Sequence, residues 1–577
     1  MLFYHDKFSD NSFSERLQVC LHSIPHDLAL AGYLTIIPAL LLIVSVWCLN
    51  KWPQRLLRGY YLIAALLVAM AFVLNLVLYG YWGFPLDSTP LFYFFSSPKD
   101  ALASVSFLYV LVGILAVVVI AIVVSFTCPT LKRMVVRRKW TTSFVLLLMT
   151  AFLFLPIRGG FSVAVLNTGR VYFSEDMELN HAAVNPLFSF VESLRHQSDF
   201  GNMYRFMSAE EADSLTSSMI KTTSDSTVAV LNSSRPDILL IVLESFSSKL
   251  MDKVGGLPNV AVNLDTLSTE GILFDHIYAN SFRTDRGLVS IISGFPAPPV
   301  NSLMKYPAKS QSLPSISKSL KAVGYETEYY YGGDVNFTNM RSYLASQEFG
   351  KVMSDVDFPI SERLSKWGVH DHLLFQRAIE AIRSDKDNTP TFRVIQTTSS
   401  HEPYEVPYHR LENERLNAFA YTDSVVGDFI RQYKLLPQWK NTLVVLIPDH
   451  LGAYPENITN TELARYQIPM IWIGGAVSSP QRVNTIGSQH DFAATLLGQL
   501  GLDHSVFFFS KDLLDVSAPH FAFFSVPDLF GIVDEDNQLI YDNQLGRTVL
   551  DEGNVKGKNL KRGQAYLQRI YDVISNL

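Results

Sequence analysis

Four apolar stretches crowd into the start of this chain, at residues 28–49, 59–79, 103–125 and 141–156. Each approaches the ~20 residues a helix needs to cross a hydrocarbon core, the last being the shortest. No comparable stretch follows Pro156. The pattern predicts a transmembrane bundle of about four spans over residues 1–157. Lys51, Arg55 and Arg58 follow the first stretch, and Lys132, Arg133, Arg137, Arg138 and Lys139 follow the third, whereas only Lys99 lies between the second and third. By the positive-inside rule the two basic loops are cytoplasmic, which puts the N-terminus and everything after the fourth span outside. Residues 1–27 are polar and read as an external loop. Either they cross as a short tail or a further span lies upstream.

With 577 residues the chain is too long for one ordinary domain. A net charge of -7 argues against a general nucleic-acid binder, which would be basic. Cys20, Cys48 and Cys128 all precede residue 157, so the remainder offers neither disulfides nor a thiolate. Residues 158–235 read as a juxtamembrane connector whose second half is rich in Ser, Thr, Asp and Glu. From residue 236 to 577 the texture changes. Apolar runs at 238–243, 392–396, 443–447 and 470–473 alternate with amphipathic stretches at 313–323, 371–382, 418–433 and 491–500. That alternation predicts an α/β domain with a mostly parallel central sheet covered by helices. In such sheets ligands bind beyond the carboxyl ends of the strands.

Two of those runs end on metal-ligand residue types. Glu244 follows one, and Asp449 and His450 follow another. Alone, either is better read as a helix cap or a turn. Together they supply two carboxylates and an imidazole, a set suited to Mn²⁺, Mg²⁺ or Zn²⁺. Thr284, in Arg283-Thr284-Asp285-Arg286-Gly287, stands before a helix-like stretch at 288–293, where backbone N–H groups favour a phosphate. Its plainer role, or that of Asp285, is an N-cap.

The order of Glu244, Thr284, His401 in Ser-Ser-His-Glu-Pro-Tyr, and Asp449-His450 resembles the lipoteichoic acid synthase family. That family is a phosphoglycerol-transferase branch of the alkaline phosphatase and sulfatase superfamily. Trp367-Gly-Val-His-Asp and Ser488-Gln-His-Asp-Phe-Ala-Ala-Thr-Leu-Leu add to the likeness. The resemblance implies an alkaline-phosphatase/sulfatase-like fold in a bacterial inner-membrane enzyme with its catalytic domain outside the cytoplasm. It implies one divalent metal, manganese first, held by Glu244, Thr284, Asp449 and His450. It also implies that His401 and Arg341 contact substrate phosphate, and that Asp334, Asn339 and Arg341 lie in the headgroup-binding stretch. Asn339 stands where the Gram-positive synthases usually have tryptophan. The implied donor is a phosphatidylglycerol-like phospholipid, and the acceptor an envelope glycan, glycolipid or polymer.

The residue types then suggest a mechanism. A metal-bound threonine alkoxide attacks phosphorus, His401 protonates the leaving oxygen, and Arg341 grips the non-bridging oxygens. A sulfatase would need cysteine or serine at position 284. Phosphoethanolamine transferases share the threonine but usually carry zinc and several disulfides. A non-catalytic relative would usually have lost one of these residues. Other residues take plainer readings. His370, Asp371 and His372 cap a helix. Arg283 and Arg286 hold phosphate or pair with carboxylates. His490 and Asp491 cap a helix and support the site from behind, and Phe507-Phe508-Phe509 belongs to the core. Asn336 and Asn457 each begin a glycosylation-like triplet.

Overall fold

A computed structural model describes every residue except 2, 49–50, 83, 89, 92–106, 129–135, 163, 196–198, 222–225, 386–388, 451–457 and 528. Lys99, Lys132 and Arg133, the beginning of the third apolar stretch, and Asn457 lie outside the described residues. The chain forms two compact units. One comprises Met1–Ser198 with Asn336–Ser342, and the other Asp199–Val335 with Tyr343–Leu577.

Among the described residues of the first unit, three helices are long and apolar enough to cross a membrane: Phe13–Trp47, Trp52–Gly80 and Lys139–Arg158. They mark the chain as a membrane protein. The shortest sequence stretch, 141–156, therefore lies in a segment of spanning length. The third stretch also forms an apolar helix, described over Phe107–Thr127. Short helices Met177–Ala183 and Pro186–Arg195 follow, the first capped by Asp176, whose side chain accepts from the Glu178 N–H.

The second unit is built on a nine-stranded sheet. Its strands are β1 (Asp237–Leu243), β2 (Ile272–Tyr278), β3 (Glu326–Tyr331), β4 (Lys351–Met353), β5 (Thr391–Gln396), β6 (Thr442–Pro448), β7 (Gln467–Ile473), β8 (Gln481–Val483) and β9 (Gly487–Ser488). The order is β4-β3-β5-β1-β6-β7-β2-β8, with β9 beside β2. Strands β4 through β6 pair in parallel, whereas β7 runs antiparallel to both of its neighbours. Six of the seven residues of β1 are buried, because helices cover both faces of a parallel sheet. Helices Asp371–Ser384 and Glu414–Tyr433 contribute Leu374, Ala378, Phe419 and Val426 to the core that Leu239, Ile241, Val444 and Leu446 form.

A second, four-stranded antiparallel sheet has no counterpart in the sequence reading: β10 (Phe521–Val526), β11 (Leu529–Asp534), β12 (Asn537–Asp542) and β13 (Arg547–Gly553). The helix Lys558–Asn576 packs on it. Gly563 allows the close approach, since a Cβ there would lie 2.3 Å from the Phe530 ring. The sheet also braces the loop that leaves β2. The Ser525 N–H donates to the Asn280 carbonyl at 2.9 Å, and Ser281 Oγ donates to the Ser525 carbonyl at 3.0 Å. The segment leading to Thr284 is thereby anchored.

His490 lies fully buried at this junction. Its Nδ1 is 3.0 Å from Asn280 Oδ1, and its Nε2 is 3.1 Å from both the Phe509 carbonyl and the Tyr566 hydroxyl. Burial, with a smaller contribution from Lys511, lowers its pKa to about 4 against the opposing pull of Asp491. The folded state therefore resists protonation that the unfolded chain accepts near pH 6.5. Its contribution to stability is complete above that pH and declines as pH falls toward 4. Thermal melts between pH 7.5 and 4.5 should show a steeper loss for wild type than for His490→Gln. Parallel curves would refute this assignment.

Candidate active site

The register of the sheet builds the site. Val242 of β1 pairs with Gln396 of β5 and Ile447 of β6, and Leu243 pairs with Pro448. The residues one step beyond, Glu244 and Asp449, must therefore emerge side by side at the carboxyl edge. The Asp449 N–H continues the ladder by donating to the Leu243 carbonyl at 3.2 Å. Both side chains are buried. His450 follows, its Nε2 3.3 Å from Glu244 Oε1 and 3.6 Å from Asp449 Oδ2. One ligand atom from each of the three lies within 4.8 Å of the others.

Thr284 is the first residue of the helix Thr284–Ser293, which Gly294 ends in the left-handed conformation. The N-cap position falls on Arg283, whose side chain makes no cap bond, so neither Thr284 nor Asp285 is the N-cap. The Thr284 hydroxyl instead donates to Glu244 Oε2 at 3.3 Å. The helix comes this close because residue 287 is glycine. A Cβ there would lie 1.5 Å from the Asp449 carbonyl oxygen.

The electrostatics are those of a site built for a cation. Burial and the neighbouring Glu244 charge push the Asp449 carboxyl well above the usual carboxylate range. Burial also works against Glu244, but the hydrogen bond and charge of His450, followed by His401 and Ser245, hold its carboxyl below the usual range. Two buried carboxylates this close repel unless a positive charge intervenes. Asp449 Oδ2 is buried without a hydrogen-bond partner among the described residues. An unpartnered carboxylate oxygen facing an imidazole, a second carboxylate and a hydroxyl fits a divalent ion.

Sequence reasoning missed several supporting residues. Ser245, at φ 60°, touches all three ligand residues. Its N–H donates to Asp449 Oδ1 at 3.0 Å, and its hydroxyl donates to Glu244 Oε1 at 2.7 Å and lies 3.3 Å from His450 Nε2. Thr397 and Ser400 hold the Glu244 backbone. The Glu244 N–H donates to Thr397 Oγ1 at 2.9 Å, and Ser400 Oγ donates to the Glu244 carbonyl at 2.7 Å. Support behind Asp449 comes from Gln489, whose amide donates to the carbonyls of Pro448 at 2.6 Å and Asp449 at 2.7 Å. His490 instead bonds the Asn280 junction, and Asp491 takes an ion pair from Lys511 at 2.9 Å.

His401 lies on the loop after β5. Its ring rests 4.2 Å from that of Trp367, and its Nδ1 donates to the Glu402 carbonyl at 3.1 Å. Nε2 therefore carries a proton only in the imidazolium. Asp371 opens the helix Asp371–Ser384, while the N-cap position is His370, without a side-chain cap bond. The Asp371 carboxylate ties down the His401 loop, accepting from the Thr398 N–H at 2.8 Å, the Ser399 N–H at 3.2 Å and Thr422 Oγ1 at 2.7 Å. His372 bonds the Tyr421 hydroxyl at 2.6 Å. Arg286 donates to the Val300 carbonyl at 2.8 Å and lies over the Phe282 ring. Phe507 and Phe509 are buried, whereas Phe508 is partly exposed.

Asp334 follows β3 in the second unit. Burial raises the Tyr331 phenol, and the charges of Glu244, Asp449, Asp334 and Asp355 add to that rise, so these acids share one neighbourhood. Asn339 and Arg341 belong to the first unit. There Asn339 Oδ1 accepts from the Gly169 N–H at 2.7 Å, and Arg341 Nε donates to Asn336 Oδ1 at 3.0 Å.

Comparison with known proteins agrees with this geometry. The Sulfatase family model matches residues 236–502. Phosphoglycerol transferase I of Xanthomonas campestris pv. campestris (strain B100) is 26% identical over 309 residues, covering 49% of this chain and 43% of that protein. The lipoteichoic acid synthase-like YvgJ of Bacillus subtilis (strain 168) is 22% identical over 319 residues, covering 50% of this chain and 51% of that one. The chain thus spans less than half the length of the Xanthomonas relative and about half that of the Bacillus one. Among solved structures, a protein in the alkaline phosphatase superfamily from Vibrio parahaemolyticus aligns with a TM-score of 0.58 at 25% identity, covering 66% of this chain and 98% of that one. The lipoteichoic acid synthase LtaP from Listeria monocytogenes shares the fold, with a TM-score of 0.53 at 17% identity over 64% of this chain and 99% of that one.

Two substitutions test the geometry. Ser245→Gly keeps the left-handed backbone and removes the hydroxymethyl group with its hydroxyl contacts, so divalent-ion affinity by calorimetry should fall roughly 10–100-fold. Unchanged affinity would show the hydroxyl to be incidental. Gly287→Ala should force helix and ligand strand apart, costing about 1–3 kcal/mol in stability and lowering bound metal. Wild-type melting and metal content in that variant would contradict the close approach.

Proposed function

We propose that this chain, whose residues 236–502 form a sulfatase-type domain of the alkaline phosphatase superfamily, is a membrane-anchored phosphoglycerol transferase. In this reading the domain lies outside the cytoplasm of a bacterial inner membrane and takes its headgroup from a phosphatidylglycerol-like lipid. The acceptor is an envelope glycan, glycolipid or polymer. The observation that carries the reading is the Thr284 hydroxyl, at a helix N-terminus and 3.3 Å from a carboxylate of the three-ligand cluster. The relatives named phosphoglycerol transferase I and lipoteichoic acid synthase-like support the headgroup.

Glu244, Asp449, His450 and Thr284 would hold one divalent ion, with manganese the first choice. When bound, it would supply charge to stabilise an alkoxide and the phosphate oxygens. The chain's own residues do the rest. Thr284 Oγ1 forms a bond to phosphorus as the bond to the diacylglycerol oxygen breaks. The threonine proton leaves along its hydrogen bond toward Glu244 Oε2. The imidazolium of His401 gives the Nε2 proton to the departing oxygen. The family resemblance gives Arg341 the role of gripping the non-bridging oxygens, for which a planar fork is suited. An acceptor hydroxyl, giving its proton to the now neutral His401 Nε2, then attacks the phosphothreonine, the Thr284–phosphorus bond breaks, and Thr284 recovers its proton from Glu244. Backbone N–H groups at the helix start favour the anion throughout. Threonine at position 284 also separates this site from sulfatases, whose nucleophile derives from cysteine or serine.

Mass spectrometry of the purified full-length protein provides the test. After incubation with phosphatidylglycerol vesicles, the peptide containing Thr284 should carry a glycerophosphoryl group. Vesicles of phosphatidylethanolamine should leave it unmodified, and Thr284→Ala should abolish both adduct and turnover. An ethanolamine-phosphoryl adduct would reassign the donor. Full turnover by Thr284→Ala would end the covalent mechanism.

A further inference from the structure

The first unit contains a cavity of its own, between the helix Ile24–Trp47, the helix Trp52–Gly80 and the end of the helix Phe107–Thr127. Its volume is about 520 Å³, in the range of sites that enclose small molecules. Two helical stripes form most of its walls. Lining residues recur in the three- and four-residue pattern of a single helix face, from Ala31 to Leu42 on one helix and from Leu57 to Val68 on the next. A helix rises about 16 Å between residues 31 and 42, close to half of the ~30 Å hydrocarbon core, which is the depth of one leaflet.

Pro38 shapes one wall. It lies inside its helix and has no N–H to donate to the Leu34 carbonyl four residues earlier. The Tyr60 hydroxyl donates to that carbonyl instead, at 2.8 Å. Leu34, Pro38 and Tyr60 all line the cavity, so the same bond that satisfies the freed carbonyl also ties the two helices across it. Ala31, Ala39 and Ala64 carry too little side chain to fill the space between them.

One end of this cavity is strongly basic. Leu42, Leu57 and Cys128 lie at that end. Arg55 and Arg58 stand on either side of Leu57 in the first turns of its helix, and both are exposed. Trp47 lies little more than one turn beyond Leu42. Its ring packs 4.8 Å from that of Trp140 and lies beneath Lys139 at 5.7 Å, which brings Arg137, Arg138 and Lys139 to the same end. The sequence supplies these cations with no acidic neighbour, since residues 28–86 and 101–174 contain neither Asp nor Glu. An apolar slot one leaflet deep, ending in a cluster of cations, matches the two parts of a lipid that carries a negative headgroup.

We propose that this cavity binds an anionic phospholipid, with one acyl chain between the helices and the phosphate held by Arg55, Arg58 and residues 137–139. A zwitterionic lipid offers the same chain, but its ammonium is repelled by the cluster, so the headgroup decides the preference. With the basic loops cytoplasmic, the lipid comes from the cytoplasmic leaflet and is not the donor that a domain outside would consume. The site uses neither Thr284 nor the three-ligand cluster.

Photocrosslinking of the full-length protein in bilayer nanodiscs tests it. Phosphatidylglycerol with a diazirine in one acyl chain, diluted into unlabelled phosphatidylethanolamine, should label peptides covering residues 31–42 and 57–68. A phosphatidylethanolamine probe with the same chain should label them several-fold less. Arg55→Gln and Arg58→Gln are exposed changes that leave the helix packing intact. Each should lower labelling by the phosphatidylglycerol probe about fivefold and leave the other probe unaffected. Ala39→Phe should fill the slot and lower labelling by both. Equal labelling by the two probes in wild type, or full phosphatidylglycerol labelling in the arginine variants, would show ordinary lipid contact and overturn the proposal. Labelling by the phosphatidylglycerol probe that avoids both peptides would overturn it too. These readings need no turnover, so a failure of the transferase assay would leave them standing.

Discussion

Glu244 and Asp449 are two buried carboxylates that the pairing of β1 with β6 forces side by side, and the second unit is arranged around that juxtaposition. A fold does not place like charges together in a dry interior unless something offsets their repulsion. Here the offset is distributed. His450 contacts both carboxylates, Ser245 donates to each of them, and Thr284 donates to Glu244. A buried Asp449 oxygen still lacks a hydrogen-bond partner among the described residues. The natural complement is a divalent cation, whose charge reverses the local pKa logic for both acids.

The surrounding structure holds this geometry by its backbone more than by its side chains. Gly287 lets a helix N-terminus rest against the Asp449 carbonyl, and Gln489 occupies that carbonyl from another direction. Thr397 and Ser400 fix Glu244 through its amide and carbonyl, and Asp371 fixes the loop that carries Thr398 and Ser399. A strand edge, a helix start and two loops therefore converge with little rotational freedom left, as preorganised charge stabilisation requires.

Much of this was legible in the sequence because buried parallel strands are continuous apolar runs. The runs before Glu244 and Asp449 announce both the strands and the polar residues at their ends. The four-stranded sheet near the C-terminus was not legible. β13, Arg-Thr-Val-Leu-Asp-Glu-Gly, is largely exposed and carries neither a continuous apolar run nor a period-two alternation that marks a strand. Ser245 and Gln489 were invisible for another reason. A serine beside a glutamate and a glutamine beside a histidine have no distinctive spacing, and their roles exist only once three chain segments meet. The reversal of β7 was equally hidden, since an apolar run carries no mark of its direction.

Asn339 shows that a motif position can also carry a structural bond. The family resemblance places it in the headgroup stretch, where the resembling synthases usually carry a tryptophan. The structure gives its side chain to Gly169, and a tryptophan has no carboxamide oxygen with which to make that bond. Replacing a ring by a backbone anchor exchanges a surface that could stack on substrate for one that rigidifies the loop. Within the first unit, residue 339 is thereby tied to the connector. Fold likeness cannot reveal such a shift, because specificity resides in the site and its loops.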